Sequence, residues 1–240
     1  MGTMANGQLE ILPRLVEGEW VEMESLSIER CHAAASFTSS GAWMVTGGQD
    51  DRLDALASTE VLGAAGTWEP VPVMLEGKQK EHCQVTTDLG IIVIGGFNYE
   101  DRVLVSVIML APNTSTWVPI TPMKHRRQTF ACVLKDDEVW VMAGFQDTTN
   151  GRLGFISSNE VFSISTKTWR DGPELPFAVN WGQSVVYDGD LYHIGGIHSE
   201  GRVLRLAGEV WEVVASTAYD DVRDVHQAVV LEDGCQDCNI

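Results

Sequence analysis

A glycine pair closes a short apolar run three times in this chain, at Gly47-Gly48, Gly95-Gly96 and Gly195-Gly196, and Ala143-Gly144 is a degenerate fourth copy. The runs before them are Trp43-Met44-Val45, Ile91-Ile92-Val93-Ile94, Val139-Trp140-Val141-Met142 and Leu191-Tyr192-His193-Ile194. After a variable gap each step is followed by a tryptophan, at Trp68, Trp117, Trp169 and Trp211, and Trp20 precedes the first. A unit of short strands recurring about every 50 residues marks a repeat architecture, in which one unit alone cannot bury its apolar face. Glycine at a strand end permits backbone angles and close approaches that a Cβ forbids. One large aromatic per unit can fill the wedge between neighbouring twisted sheets.

Each repeat divides into four strands, a to d. Strand a begins near Ala33, Cys83, Gln128 and Gly182, and strand b ends in the glycine step. Strand c reads Ser58–Leu62, Val105–Leu110, Ser158–Phe162 and Arg202–Leu206, and strand d carries the tryptophan. Runs of four to seven β-branched and aromatic residues between Gly, Asp and Asn clusters fit strands. Asp88, Asp136-Asp137 and Asp188-Gly189 supply turn chemistry between a and b.

This fixed order of features resembles kelch repeats, the units of kelch-type β-propellers, over nearly the whole chain. The resemblance implies an all-β fold with four-stranded blades; a repetitive β-sandwich is the alternative reading of the same strands. Residues 1–240 are expected to form a single propeller domain, with blades at about 30–73, 80–122, 126–173 and 180–215. Residues 7–23 match strands c and d of the last repeat, and His226–Leu231 matches a strand a. A fifth, shared blade (7–23 plus 226–240) would then close the ring by pairing the N- and C-terminal strands and leave no open edge. After Gly234 no apolar strand b follows, so either the shared blade has three strands or the propeller continues beyond this sequence. In adaptor members of the family a BTB-type helical domain precedes the propeller, and no segment here is expected to form one.

Composition excludes several classes. No stretch approaches 18 consecutive apolar residues, and the N-terminus has neither a basic nor an apolar signal region. Asn6 stands where a myristoylation signal needs Ser or Thr. Net charge is −18, from 34 acidic and 16 basic residues, which argues against nucleic-acid or anionic-membrane binding. Cys31, Cys83 and Cys132 fall at comparable places near strand a, as small packing residues do, and not as a disulfide framework. The expected location is therefore the reducing cytoplasm. Cys235 and Cys238 form a lone CxxC with no second pair, and no metal or redox role is expected of it.

In kelch topology the b–c and d–a connections share one face. Arg52, Arg102, Arg152 and Arg202 lie in successive b–c loops, and Arg30, Arg126, Arg127 and Arg223 lie just before strands a. His32, His82, His125 and His226 stand at the strand-a entrances. In substrate-adaptor members this face receives a peptide or loop of the partner, often acidic, and arginine holds a carboxylate through its planar fork. The expected contact set is Arg30, His32, His82, Arg126, Arg127, Arg223 and His226, with the four b–c arginines as secondary contacts. Acidic residues in the same loops, among them Asp50, Asp54, Asp101 and Glu200, allow those arginines instead to tie neighbouring loops together.

Catalysis has less support. Some kelch propellers are copper-radical oxidases or a sialic-acid mutarotase, and a small-molecule enzyme using the central mouth is the alternative function. The four tyrosines (Tyr99, Tyr187, Tyr192, Tyr219) stand in no recognisable arrangement with Cys and His. His193 reads as a core histidine inside strand b, and Asn113-Thr114-Ser115 as a c–d turn rather than a glycosylation sequon. No catalytic residue, metal site or cofactor is expected. The chain reads as a protein-interaction module, either the substrate-recognition part of an adaptor or a cytoskeletal scaffold.

Overall fold

A computed structural model describes residues 3–5, 8–11, 14–16, 19–21, 24–74, 79–147 and 153–216. Among these residues every regular element is a strand. The chain divides into two compact units, 1–128 and 129–240.

The first unit holds two four-stranded antiparallel sheets. One is Ala34–Phe37, Trp43–Thr46, Thr59–Leu62 and Trp68–Val71; the other is Cys83–Thr87, Gly90–Ile94, Val107–Leu110 and Trp117–Pro119. The second unit holds two more. They are Ala131–Lys135, Glu138–Met142, Asn159–Ser163 and Thr168–Gly172, then Gln183–Tyr187, Asp190–Ile194, Arg202–Ala207 and Val210–Ser216. In all four, the strands are hydrogen-bonded in chain order, a-b-c-d. The b–c connections of the second and third sheets carry small ribbons, Phe97–Asn98 with Arg102–Val103 and Phe145–Asp147 with Leu153–Phe155.

The glycine step imposes one backbone shape in every repeat. Its first residue is left-handed at Gly47, Gly95 and Gly195 (φ 56°, 54° and 61°), and Ala143 adopts the same conformation at φ 57°. The second residue donates its amide across to the segment that leads into the next strand a. Gly48 bonds the Gln79 carbonyl and Gly96 the Arg127 carbonyl in the first unit, and Gly144 bonds the Val179 carbonyl in the second, each at 2.9 Å. A Cβ on Gly96 would lie 2.6 Å from the Lys80 oxygen and 2.7 Å from the His82 Cβ, so the approach requires glycine.

The tryptophans fill the wedges. Trp117 is buried with Met44, Met74, Ile91, Val93 and Ile108, which come from both sheets of the first unit and the segment between them. Trp211 does the same in the second unit with Trp140, Met142, Leu191 and Leu204. The buried indoles also hydrogen-bond: Trp68 Nε1 donates to the Glu24 carbonyl (2.9 Å), Trp117 to Pro72 (3.0 Å) and Trp211 to Pro173 (2.9 Å). Trp169 is half-buried, with its ring 5.1 Å from Phe162.

The N-terminal stretch differs from expectation. Residues 8–11 and 19–21 do not pair as strands c and d of one blade. Gln8–Ile11 pairs with Thr3–Ala5, and Glu19–Val21 with Arg14–Val16. The sequence explains the preference: Asn6-Gly7 separates the first pair, a strong hairpin signal, and Pro13 interrupts the run between the two pairs. The expected partner strand at 226–231 lies outside the described residues, as do Arg152, Arg223 and His226.

Candidate functional site

The turn into strand a has a shared geometry. The residue two before the strand is left-handed at His32 (φ 54°) and Glu81 (φ 56°) in the first unit, and at Thr129 (φ 53°) and Trp181 (φ 59°) in the second. None is glycine, so the fold imposes this conformation against the side chain's preference. In the first unit the Glu81 amide donates to the His32 carbonyl at 3.0 Å, which places the two entrances side by side.

Burial separates the expected contact residues. Arg30 is 0% exposed, and its Nη2 lies 2.5 Å from Glu60 Oε1. Its Nη1 donates to the Gly47 carbonyl at 2.7 Å, while Ser27 donates its backbone N–H (2.8 Å) and Oγ (2.5 Å) to the other Glu60 oxygen. Burial pulls the guanidinium below its ordinary pKa, opposed by the charge of Glu60. Arg30 is thus a structural ion pair beneath the glycine step, not a surface contact. Arg127 is likewise 0% exposed. The arginine next to it, Arg126, is exposed and donates through Nη1 to the Val103 carbonyl at 2.7 Å.

His82 is also buried. Its Nε2 meets Thr46 Oγ1 at 2.8 Å, and Thr46 donates to Gln84 Oε1 at 2.6 Å. Gln84 in turn donates to Ser36 Oγ at 2.7 Å. Desolvation pushes the His82 pKa down to about 3, with the hydrogen bond to Thr46 opposing and Arg30 adding to the shift. The ring is therefore neutral near pH 7 and belongs to a polar network linking the first two strands a. His193 sits in the same way within the fourth sheet, buried, with Nδ1 2.9 Å from Ser184 Oγ, as its reading as a core histidine requires. His32 is exposed; desolvation and then nearby Lys80 hold its pKa below the ordinary value.

What remains at the surface of the first unit is a platform that the sequence reading did not assemble. Leu53 is 61% exposed and Tyr99 is 56% exposed, yet Tyr99 Oη donates to the Leu53 carbonyl at 2.8 Å, which joins two successive b–c loops. Lys80 Nζ lies 5.3 Å from the Tyr99 ring centroid and 5.6 Å from that of Phe97, and bonds Gln49 Oε1 at 2.5 Å. The Arg102 guanidinium carbon lies 5.3 Å from the Phe97 ring centroid. The Asp50 carboxylate accepts the amides of Arg52 (3.0 Å) and Asp54 (2.9 Å), fixing the loop that presents Leu53. A large aromatic, an aliphatic and several cations on one rim can bury an apolar anchor and orient an anionic or carbonyl group.

Among the described residues, the b–c arginines do not tie neighbouring loops together by ion pairs. Arg52 and Arg102 are exposed and make no ion pair among the described residues. Arg202, in the second unit, pairs among the described residues with Glu200, two residues away, and its guanidinium lies 5.3 Å from the Phe177 ring centroid. The signal that locates the platform is Tyr99 itself, an aromatic two residues beyond Phe97 in a loop otherwise made of Asn, Glu and Asp.

The cysteine expectation changes. Cys31 is free, whereas Cys83 and Cys132 are each disulfide-bonded, so the cysteines no longer argue for a reducing compartment. Among the described residues no helix is long and apolar enough to cross a membrane.

No family profile matches the chain. Sequence relatives do. Kelch-like protein 40 of Xenopus laevis is 24% identical over 206 residues, covering 82% of this chain and 32% of that protein. Beta-scruin of Limulus polyphemus is 27% identical over 190 residues (75% and 20%), and the human kelch repeat and BTB domain-containing protein 12 is 26% identical over 161 (60% and 25%). The chain thus spans about a third or less of the length of these relatives. A solved structure, that of YjhT, aligns over 90% of this chain and 83% of its own with a TM-score of 0.72 at 12% identity, a likeness of fold.

Proposed function

We propose that this chain, a kelch-repeat protein of the β-propeller class by its repeats and its relatives, is a protein-interaction module that takes a segment of its partner on the b–c and d–a face. The observation that carries this reading is the Leu53–Tyr99 pair. The Tyr99 hydroxyl is tied to the Leu53 backbone carbonyl across two loops while both side chains stay exposed, with Lys80 and Arg102 packed on the adjoining rings and exposed Arg52 next to Leu53 in the chain. Exposed aromatics rimmed by polar residues mark interaction sites, and Tyr and Arg are enriched where binding energy concentrates. Arg126 and His32 remain in the contact set; Arg30, Arg127 and His82 support the face from beneath. The partner segment carries an apolar residue beside an acidic one, matching the platform and its cations. With His82 buried, neutral and tied to Thr46, binding rather than catalysis is the role proposed for this face. Adaptor and scaffold roles both use such a face.

The test is quantitative affinity isolation from cell extract with the wild type and with a Leu53→Ser/Tyr99→Ala variant of unchanged melting temperature. Proteins enriched by the wild type and lost from the variant support the face. An identical set from both would remove it.

A further inference from the structure

Tyr99 opens the turn Tyr99-Glu100-Asp101 at the tip of the second sheet's b–c ribbon, and all three residues are exposed. Tyr187 and Tyr192 lie instead within paired strands of the fourth sheet, their ring centroids 6.4 Å apart. An enzyme that modifies a tyrosine has to draw it out in an extended segment, which a turn tip allows and a hydrogen-bonded strand resists. Tyr99 is the accessible one of these three.

Its hydroxyl is also the proton donor that joins two loops. It donates to the Leu53 carbonyl at 2.8 Å, and Lys80 Nζ stands 3.5 Å from the same oxygen. Leu53 is left-handed at φ 67°, a conformation its Cβ disfavours, and the Tyr99 bond fastens its carbonyl to the neighbouring loop. The cations around this hydroxyl are uncommitted, although acidic residues outnumber basic ones 34 to 16 in the chain. Lys80 bonds the neutral amide of Gln49 at 2.5 Å, and Lys80, Arg52 and Arg102 make no ion pair among the described residues. The nearby carboxylates are taken up locally: Asp50 accepts the amides of Arg52 and Asp54, and Asp101 accepts from Asn98 Nδ2 at 3.3 Å.

We propose that Tyr99 is a phosphorylation site whose phosphate is held in cis by Lys80. A tyrosine kinase transfers the γ-phosphoryl group of ATP: the bond from Oη to phosphorus forms, the bond from phosphorus to the β,γ-bridging oxygen breaks, ADP leaves, and the hydroxyl proton passes to the kinase's base. The ester oxygen can no longer donate, so the bond to Leu53 is lost. Lys80, already 3.5 Å from Oη, exchanges a neutral amide for a doubly charged anion. The loop at 50–54 is thereby released. On the binding reading given above, from which this last step follows, an acidic partner segment then meets a neutralised Lys80 and an unfastened Leu53. Phosphorylation switches the platform off.

The experiment treats the full-length chain with a tyrosine kinase catalytic domain and magnesium ATP, and maps the product by peptide mass spectrometry. Tyr99 should be modified first, and Tyr99→Phe should lose that product. In phosphorus-31 NMR the second ionisation of the phosphate should fall below its ordinary value of about 6, and should return towards it in Lys80→Gln. Hydrogen exchange at 50–54 should quicken on phosphorylation. Modification confined to other tyrosines, a phosphate that titrates identically with and without Lys80, or unchanged exchange at 50–54 would each overturn the proposal. Partner capture separates the switch from the surface. Proteins held by the wild type and lost from Leu53→Ser/Tyr99→Ala should also be lost from the phosphorylated chain, and their full retention would overturn the switch. A captured set unaffected by that double variant would remove the surface and the switch with it.

Discussion

The Trp117 indole donates its N–H to the carbonyl of Pro72, 45 residues earlier, at 3.0 Å, so the last strand of the second sheet is fastened to the segment leaving the first. The same side chain fills the apolar wedge between the two sheets. Packing and hydrogen bond thus reside in one residue. Trp117→Ala should cost about 3–5 kcal/mol in urea unfolding, the usual range for a buried large aromatic. Trp117→Phe, which keeps most of the packing but loses the donor, should cost less. Equal losses from the two variants would mean that the packing contributes nothing beyond the bond.

The glycine step is expected to be far less tolerant than glycines elsewhere with the same backbone sign. Gly96→Ala places a methyl group 2.6 Å from the Lys80 carbonyl and should unfold the protein or nearly so, whereas nothing lies within 4 Å of a Cβ at Gly208 (φ 63°). Gly208→Ala should cost only the left-handed backbone penalty, about 1–2 kcal/mol. Melting temperatures of the two variants check the difference.

These positions show what the sequence made legible. The strand frame follows from glycine and tryptophan punctuation, because steric demands on those residues are local and recur in every repeat. The N-terminal pairing was hidden because Asn6-Gly7 offers a nearby partner that competes with a distant one. Burial of the arginines was hidden for a different reason. Arg126 and Arg127 are neighbours in sequence, yet one is exposed and the other fully buried. For Arg30 the deciding partner is Glu60, a carboxylate within a strand that otherwise reads Thr59, Val61, Leu62. A charged residue inside such a run was the available sign of a buried ion pair. The platform required two loops 46 residues apart to meet, as the Tyr99–Leu53 bond does, and no spacing rule announces that.

Arg30→Ala should therefore act on stability and not on a surface. Removing one member of a buried pair leaves Glu60 uncompensated, which costs about 3–5 kcal/mol. Arg52→Ala, on an exposed loop, should stay within about 0.5 kcal/mol. Denaturant midpoints measured side by side distinguish the two, and a near-neutral Arg30→Ala would contradict the buried pairing.

Stability should depend on pH through His82. Its folded pKa of about 3 lies below the ordinary 6.5, so between those values the unfolded chain binds the extra proton. The contribution is fully present above about pH 6.5 and is lost as pH falls towards 3. His32 shifts in the same direction; Glu81, raised by burial, shifts in the opposite one. His82→Gln should flatten the decline by up to about 1.4 kcal/mol per pH unit within that window. An identical pH profile in the variant would mean that His82 titrates normally.

The central claim, that the b–c and d–a face of the first unit is the binding surface, is tested most directly by hydrogen exchange on the complex with a partner recovered by affinity isolation. Amide protection on binding should concentrate in residues 50–54, 80–82 and 97–103, around Leu53, Lys80 and Tyr99, and should vanish with Leu53→Ser/Tyr99→Ala. Protection confined to other parts of the chain, with 50–54 and 97–103 exchanging as in the free protein, would contradict it.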